Sequence, residues 1–182
     1  MWLDQHLLQL FAENRTGWAT GFARTMMYAG TNPAALAVGS LLALTFVVVR
    51  HAYRPAVAVT ASVLASTIAA GVLKELFDRA RPPADLVLVH LGGSAMPSTH
   101  AAGTAAAAAA LLVAVTWSTS RARLYWGAVL AGGTVVVGIC LVYLGVHWAT
   151  DVLAGWALGA ALGVGAGMLC RLGPWIAHSP QP

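Results

Sequence analysis

Five apolar runs bounded by short polar stretches dominate the chain, covering residues 33–49, 55–73, 99–117, 124–143 and 150–170. Each approaches the roughly 20 residues that a helix needs to cross the hydrocarbon core of a bilayer. The connections around Arg50-His-Ala-Tyr-Arg54 and Ser118-Thr-Ser-Arg-Ala-Arg123 are short, which predicts antiparallel neighbours. Residues 1–30 have a different rhythm: Trp2, Leu3, Leu7, Leu8, Leu10 and Phe11 interleave with Asp4, Gln5, His6 and Glu13. That spacing predicts an amphipathic helix too polar to span, lying in the membrane interface. Trp18 to Tyr28, with Arg24 inside it, predicts a second surface helix. The fold class expected is all-α: an integral membrane helical bundle of about five spans in residues 31–172, an interfacial helix region in residues 1–30, and a flexible Pro-containing tail in residues 173–182.

Small residues add packing detail. Ala105 to Ala110 form an unbroken alanine tract, and Gly155, Gly159, Gly163 and Gly167 recur every fourth residue. Small side chains at this spacing let helix backbones approach closely, so a packing seam is expected in the last span. The same seam would suit contact between protomers of a homo-oligomer.

Composition agrees with a membrane bundle. Hydrophobic residues make up 59% and charged residues 9% of the 182, against roughly 45–50% and 25% in soluble domains. The ten Lys and Arg residues give a formal net charge of +4 but are scattered at segment ends. Without a basic stripe interleaved with aromatics, nucleic acid is excluded as a partner. Cys140 and Cys170 sit inside apolar runs, with neither metal-ligand nor disulfide spacing, and read as packing residues. The N-terminus lacks a basic region ahead of a compact apolar core, so no cleaved signal is expected, and the first span directs insertion.

In so apolar a chain, three polar stretches carry the candidate chemistry: Lys74 to Pro82, Pro97-Ser98-Thr99-His100, and His147 to Asp151. Ionisable groups at membrane depth need partners or a ligand. Because every crossing reverses the side on which the next loop emerges, all three fall on one face, while Arg50, Arg54, Arg121 and Arg123 fall on the other. The positive-inside tendency makes that second face cytoplasmic and the candidate site extracytoplasmic. Lys74, Arg79 and Arg81 nearly balance the vote, but they sit where a ligand can hold them.

Each stretch has a plain reading beside a chemical one. Lys74 and Arg81 can be interfacial anchors, or two cations aimed at one point where Pro82-Pro83 stops the helix. Ser98 or Thr99 is a natural N-cap, and the same helix N-terminus presents free N–H groups and a positive dipole end to an anion. His100 lies in that first turn, positioned to donate a proton. If their turn is helical, His147 and Asp151, at i and i+4, share a face, so Asp151 can accept from one imidazole nitrogen and leave the other nucleophilic. A zinc pair is the competing reading, and it lacks a third ligand nearby other than His100. Together these parts suit phosphoryl transfer, with no cofactor and no metal expected.

Lys74-(six residues)-Arg81-Pro82, Pro97-Ser98-Thr99-His100 and Tyr143-Leu-Gly-Val-His147-(three residues)-Asp151 resemble, in this order and over roughly residues 55–170, the type 2 phosphatidic acid phosphatase superfamily. That superfamily also includes bacterial undecaprenyl pyrophosphate phosphatases. The resemblance implies a metal-independent lipid phosphate phosphatase on a helical bundle. His147 would attack phosphorus to form a phosphohistidine, Asp151 would orient it, and His100 would protonate the leaving oxygen. Lys74, Arg81 and Ser98 would hold the phosphate oxygens, helped by backbone amides near Thr99 and His100.

One position departs from the pattern. The third motif normally begins with Ser-Arg six residues before the nucleophile, where this chain has Cys140 and Leu141. Losing one cation that stabilises the transition state costs about 3–4 kcal/mol, or 10²–10³ in rate. Arg79 can substitute if its loop turns inward, or can pair with Asp78 or lipid headgroups. The departure therefore leaves two expectations: a phosphatase acting on a lipid phosphate or polyprenyl pyrophosphate, or a catalytically weak or silent lipid-phosphate binder or carrier. A vanadate-dependent haloperoxidase shares this kind of site but is soluble.

Overall fold

The computed structural model describes residues 2–172, so the tail expected at residues 173–182 lies outside the described residues. Among them are seven α-helices: α1 (Trp2–Glu13), α2 (Gly17–Ala29), α3 (Pro33–Val49), α4 (Tyr53–Phe77), α5 (Thr99–Ala114), α6 (Ser120–Tyr143) and α7 (Ala149–Leu172), with one short 3-10 turn at Ala84–Leu86. The protein is an all-helical, multi-pass membrane bundle. α4, α6 and α7 are each long and apolar enough to cross a bilayer alone.

Side-chain caps start the helices where the sequence places them. Asn32 accepts from the amides of Ala34 and Ala35, Thr119 from Ala122, and Ser98 from Ala101. Each satisfies donors that have no partner within their own helix. α4 outruns its expected apolar limit and takes Lys74 into its last turn. Asp78 then adopts a left-handed conformation, φ 39°, with its amide on the Lys74 carbonyl, and turns the chain back over the bundle.

With 16 residues, α5 is short for a span. It can be short because it is the central helix, packed against α4, α6 and α7 rather than facing lipid along its length. Ala101, Ala102, Ala106 and Ala110 are completely buried. Against this alanine face lies the α7 glycine seam. A Cβ added at Gly155 would lie 2.5 Å from the Ser98 carbonyl oxygen, at Gly159 2.0 Å from that of Ala102, and at Gly163 2.4 Å from that of Ala106. The seam is thus consumed inside the chain, and it is not the protomer contact that the sequence allowed.

α1 and α2 are docked rather than free on a surface. α1 turns Asp4 and Leu8 into the bundle and leaves Trp2, Leu3 and Leu10 exposed. Tyr143 at the end of α6 fastens the junction: its hydroxyl pairs with Thr20 Oγ1 at 2.9 Å and accepts from the Thr16 amide at 3.2 Å. Arg15 donates to the carbonyls of Leu86 and Tyr143.

Candidate active site

The three polar stretches meet at one end of the bundle, tied by hydrogen bonds between them. The Ser98 amide donates to the Asp151 carbonyl at 3.0 Å, coupling the N-termini of α5 and α7. Lys74 Nζ donates to the Ser94 carbonyl at 2.7 Å, and Arg81 donates through Nε to Gly93 at 2.9 Å and through Nη1 to Val146 at 2.7 Å. Lys74 and Arg81 therefore clamp the 92–95 loop to the turn that carries His147. That turn is made by Gly145 at φ +75°, where a Cβ would lie 2.8 Å from the Leu86 carbonyl oxygen. Only glycine fits there.

Lys74, Arg81 and His147 are the ionisable neighbours of His100. The end of α2 reaches the same place, since a Cβ at Gly30 would lie 3.8 Å from His100 Cδ2. Ser98 and Thr99 open α5, so the first-turn amides beside His100 lack intrahelical acceptors.

His147 and Asp151 are 2% and 0% exposed. His147 Nδ1 lies 3.6 Å from Asp151 Oδ2, outside hydrogen-bond reach, and has no hydrogen-bond partner among the described residues. Asp151 is instead held by other donors: the Trp148 amide reaches Oδ2 at 2.9 Å and Arg79 Nη1 reaches Oδ1 at 2.5 Å. Burial pushes the His147 imidazole below its ordinary value of 6.5; Asp151 pulls it back, and the Arg81 and Lys74 cations push it down again.

Arg79 makes no ion pair with Asp78 among the described residues. Its second terminal nitrogen, Nη2, donates to Asp4 Oδ2 at 2.7 Å, and the guanidinium lies 5.8 Å from the centre of the Trp148 ring. Asp4 also accepts from the Thr150 amide at 2.9 Å and its hydroxyl at 2.7 Å. Burial alone would raise the Asp4 pKa, but these Thr150 and Arg79 contacts outweigh it and hold the carboxyl below its usual range. The sequence assigned Asp4 to the polar side of an amphipathic helix, yet it is 1% exposed. The available signal was its i,i+4 spacing to Leu8, which puts the acid on the apolar stripe.

Leu141 is 2% exposed and packs in an apolar cluster that includes Ala23, Ala101 and Val152. Among the described residues no three His, Cys, Asp or Glu side chains group as metal ligands do.

Comparison with known proteins places this geometry. A transmembrane PAP2 type phosphatidylglycerolphosphate phosphatase from Bacillus subtilis has the same fold at a TM-score of 0.79 and 23% identity, over 92% of this chain and 84% of that one. LpxE of Aquifex aeolicus superimposes at 0.65 with 21% identity, over 92% and 93% of the two chains. A search of curated proteins finds no match. The PAP2 superfamily model matches residues 55–170, which takes in all three polar stretches. More than half of the chain lies in that match, and the chain belongs to the PAP2 superfamily of membrane lipid phosphate phosphatases.

Proposed function

We propose that this protein removes phosphate from a lipid phosphate or a polyprenyl pyrophosphate through a phosphohistidine, without a metal ion. The observation that carries the reading is the convergence of His147, Asp151, His100, Lys74 and Arg81 at one end of the bundle. His147 Nε2 attacks phosphorus, and the bond to the lipid oxygen breaks as His100 passes it a proton. His100 then takes a proton from water, whose oxygen attacks the phosphohistidine, and phosphate leaves with His147 restored. Lys74 and Arg81 neutralise the phosphoryl oxygens with donors left over from the loop carbonyls, and Ser98 with the first-turn amides at Thr99 and His100 completes the cradle.

Arg15, Arg24, Lys74, Arg79 and Arg81, at the site end, all donate to the protein itself. Arg50, Arg54, Arg121 and Arg123 make no side-chain hydrogen bond among the described residues. Of the opposite end's cations only Arg171 donates to the protein, to the Val113 carbonyl, among the described residues. Free cations are the ones a membrane potential and anionic lipids act on, so this asymmetry supports a cytoplasmic opposite end and an extracytoplasmic site. An apolar cavity of about 270 Å³ between α5, α6 and α7, lined by Leu112, Leu130, Val135 and Trp156, supports lateral access for a hydrocarbon tail. Phosphatidic acid and phosphatidylglycerol phosphate are the alternatives to a polyprenyl pyrophosphate, and the Bacillus subtilis enzyme's substrate favours a glycerophospholipid of that kind.

Leu141 favours a second reading, a family member that binds lipid phosphate with little or no turnover. Phosphate release from a panel of lipid phosphates and pyrophosphates, with EDTA present, separates the two. Release abolished by His147→Ala supports the phosphatase; equal release by wild type and His147→Ala overturns its mechanism. Saturable binding that needs Lys74 and Arg81, with turnover at background, establishes the binder.

A further inference from the structure

The proposed mechanism leaves one buried polar cluster unused: Asp4, Arg79 and Thr150. Three facts define it. Arg79 bridges two carboxylates, Asp4 through Nη2 and Asp151 through Nη1. Thr150, immediately before Asp151, gives both its amide and its hydroxyl to Asp4 and accepts from Arg79 at 2.6 Å. Asp4 comes from α1, far outside the stretch that resembles the phosphatase motifs.

A completely buried carboxylate must be matched by a cation to stay ionised. Arg79 supplies that cation for Asp151, and unshared it would also cancel the negative charge that Asp151 offers to His147. Asp4 prevents the cancellation: two carboxylates and one guanidinium carry a net charge of one negative, and Asp151 is the member that faces the imidazole at 3.6 Å. Built this way, the cluster fixes the carboxylate from the side away from His147 and leaves its charge available.

Resting on the phosphohistidine reading, we infer that Asp4 and Arg79 are positioning residues that act through Asp151, so that α1 is part of the active site and Arg79 is not a phosphate ligand. The occupied guanidinium separates this inference from the alternative in which Arg79 replaces the cation missing at Leu141.

The test uses the full chain in detergent, with phosphate release, its pH profile, inhibition by inorganic phosphate and the melting temperature measured together. Other groups facing His147 are Lys74 of α4, Arg81 of the following loop and His100 of α5, and none of them changes in the variants. Asp4→Asn makes the cluster neutral, so the acid limb of kcat/KM should move to lower pH. Arg79→Gln leaves two negative charges, so the limb should move to higher pH, each by about half a unit. The double variant restores one negative charge, and its limb should return to the wild-type position. In all three kcat should fall by about tenfold to a hundredfold, as when a group orienting a catalytic ligand is lost, while the inhibition constant of inorganic phosphate stays within about twofold.

A phosphate ligand would behave differently: Arg79→Gln would raise that constant at least tenfold, and Asp4→Asn, by freeing the arginine, would leave or increase activity. Either result overturns the inference, as do limbs that stay in place while melting temperature and kcat fall together. If Asp4→Asn does not fold, Asp4→Glu keeps the charge and should keep the wild-type acid limb. His147→Ala in the same assays separates the layers. Release that survives it removes the phosphohistidine reading itself, whereas release lost there but unchanged in Asp4→Asn and Arg79→Gln removes only the positioning role.

Discussion

Replacing Gly159 by Ala tests whether the α5–α7 seam sets the geometry of the site. The new Cβ would lie 2.0 Å from the Ala102 carbonyl oxygen, 2.8 Å from its carbon and 2.9 Å from the Ala106 amide nitrogen. Real Cβ atoms essentially never come within 3.0 Å of such neighbours, so the two helices must part by about 1 Å. All three obstacles are backbone atoms, and no rotamer change relieves them. Overpacking costs about 1–3 kcal/mol, and a backbone clash belongs at the upper end. Helix propensity returns about 1 kcal/mol for removing a glycine, leaving a net cost of about 2 kcal/mol. For a chain of this size that is a fall of about 4–8 °C in melting temperature. Activity should suffer more, because Ser98 and Asp151 sit at the ends of these same helices, joined by their 3.0 Å backbone bond. A displacement of about 1 Å can cost on the order of a hundredfold in rate. Gly165→Ala is the control: nothing lies within 4 Å of its Cβ, so turnover should hold while helix propensity raises melting by about 2–4 °C. Thermal shift and phosphate release on the purified pair decide it. Gly159→Ala matching Gly165→Ala in both would refute the seam as a determinant of the site.

Two further expectations concern single groups. Because burial holds the His147 pKa below its ordinary 6.5, the neutral imidazole that the proposed mechanism needs predominates at pH 7, and the acid limb of kcat/KM should fall below pH 6.5. The linked stability has a definite sign: the unfolded state binds more protons between the depressed folded value and 6.5, so stability should drop as pH falls through that window. His147→Gln should flatten that part of a melting-temperature profile. Leu141→Arg puts a guanidinium where a side chain is 2% exposed among apolar neighbours, so the variant should melt lower than wild type in buffer without phosphate. Millimolar phosphate should restore more of that loss than it adds to wild type; equal increments would show that position 141 does not face the anion.

The helical periods, the single face shared by the three polar stretches, and the close-packing glycines were legible because each is local. Apolar run lengths mark α3 to α7, and parity of crossings brings Lys74, His100 and His147 to one end. What the sequence could not give was partner choice. Arg79 had Asp78 beside it in the chain and chose Asp4 and Asp151, because the left-handed turn at Asp78 throws the following residue back over α7. The i,i+4 spacing suggested a shared helical face, but α7 begins only at Ala149 and His147 lies in the bend before it; Asp151 still comes to 3.6 Å, short of a hydrogen bond, since Arg79 and the Trp148 amide draw the carboxylate aside. The glycine seam was readable as a seam, while its partner within the chain became clear only from the α5 carbonyls against it.

The Asp4 contacts also bear on how the chain assembles. Asp4 and Thr150 are 146 positions apart, so α1 must wait for α7 before its carboxylate is fully paired. During synthesis α1 emerges before α4 and α7 and keeps a charge that cannot be buried alone, which holds it at the water interface until they are in place. Contacts of such separation form late because the intervening loop must close first. The final lock of the bundle is therefore also the step that completes the candidate site, and a chain stalled before α7 carries Lys74, Arg79 and Arg81 yet lacks Asp151.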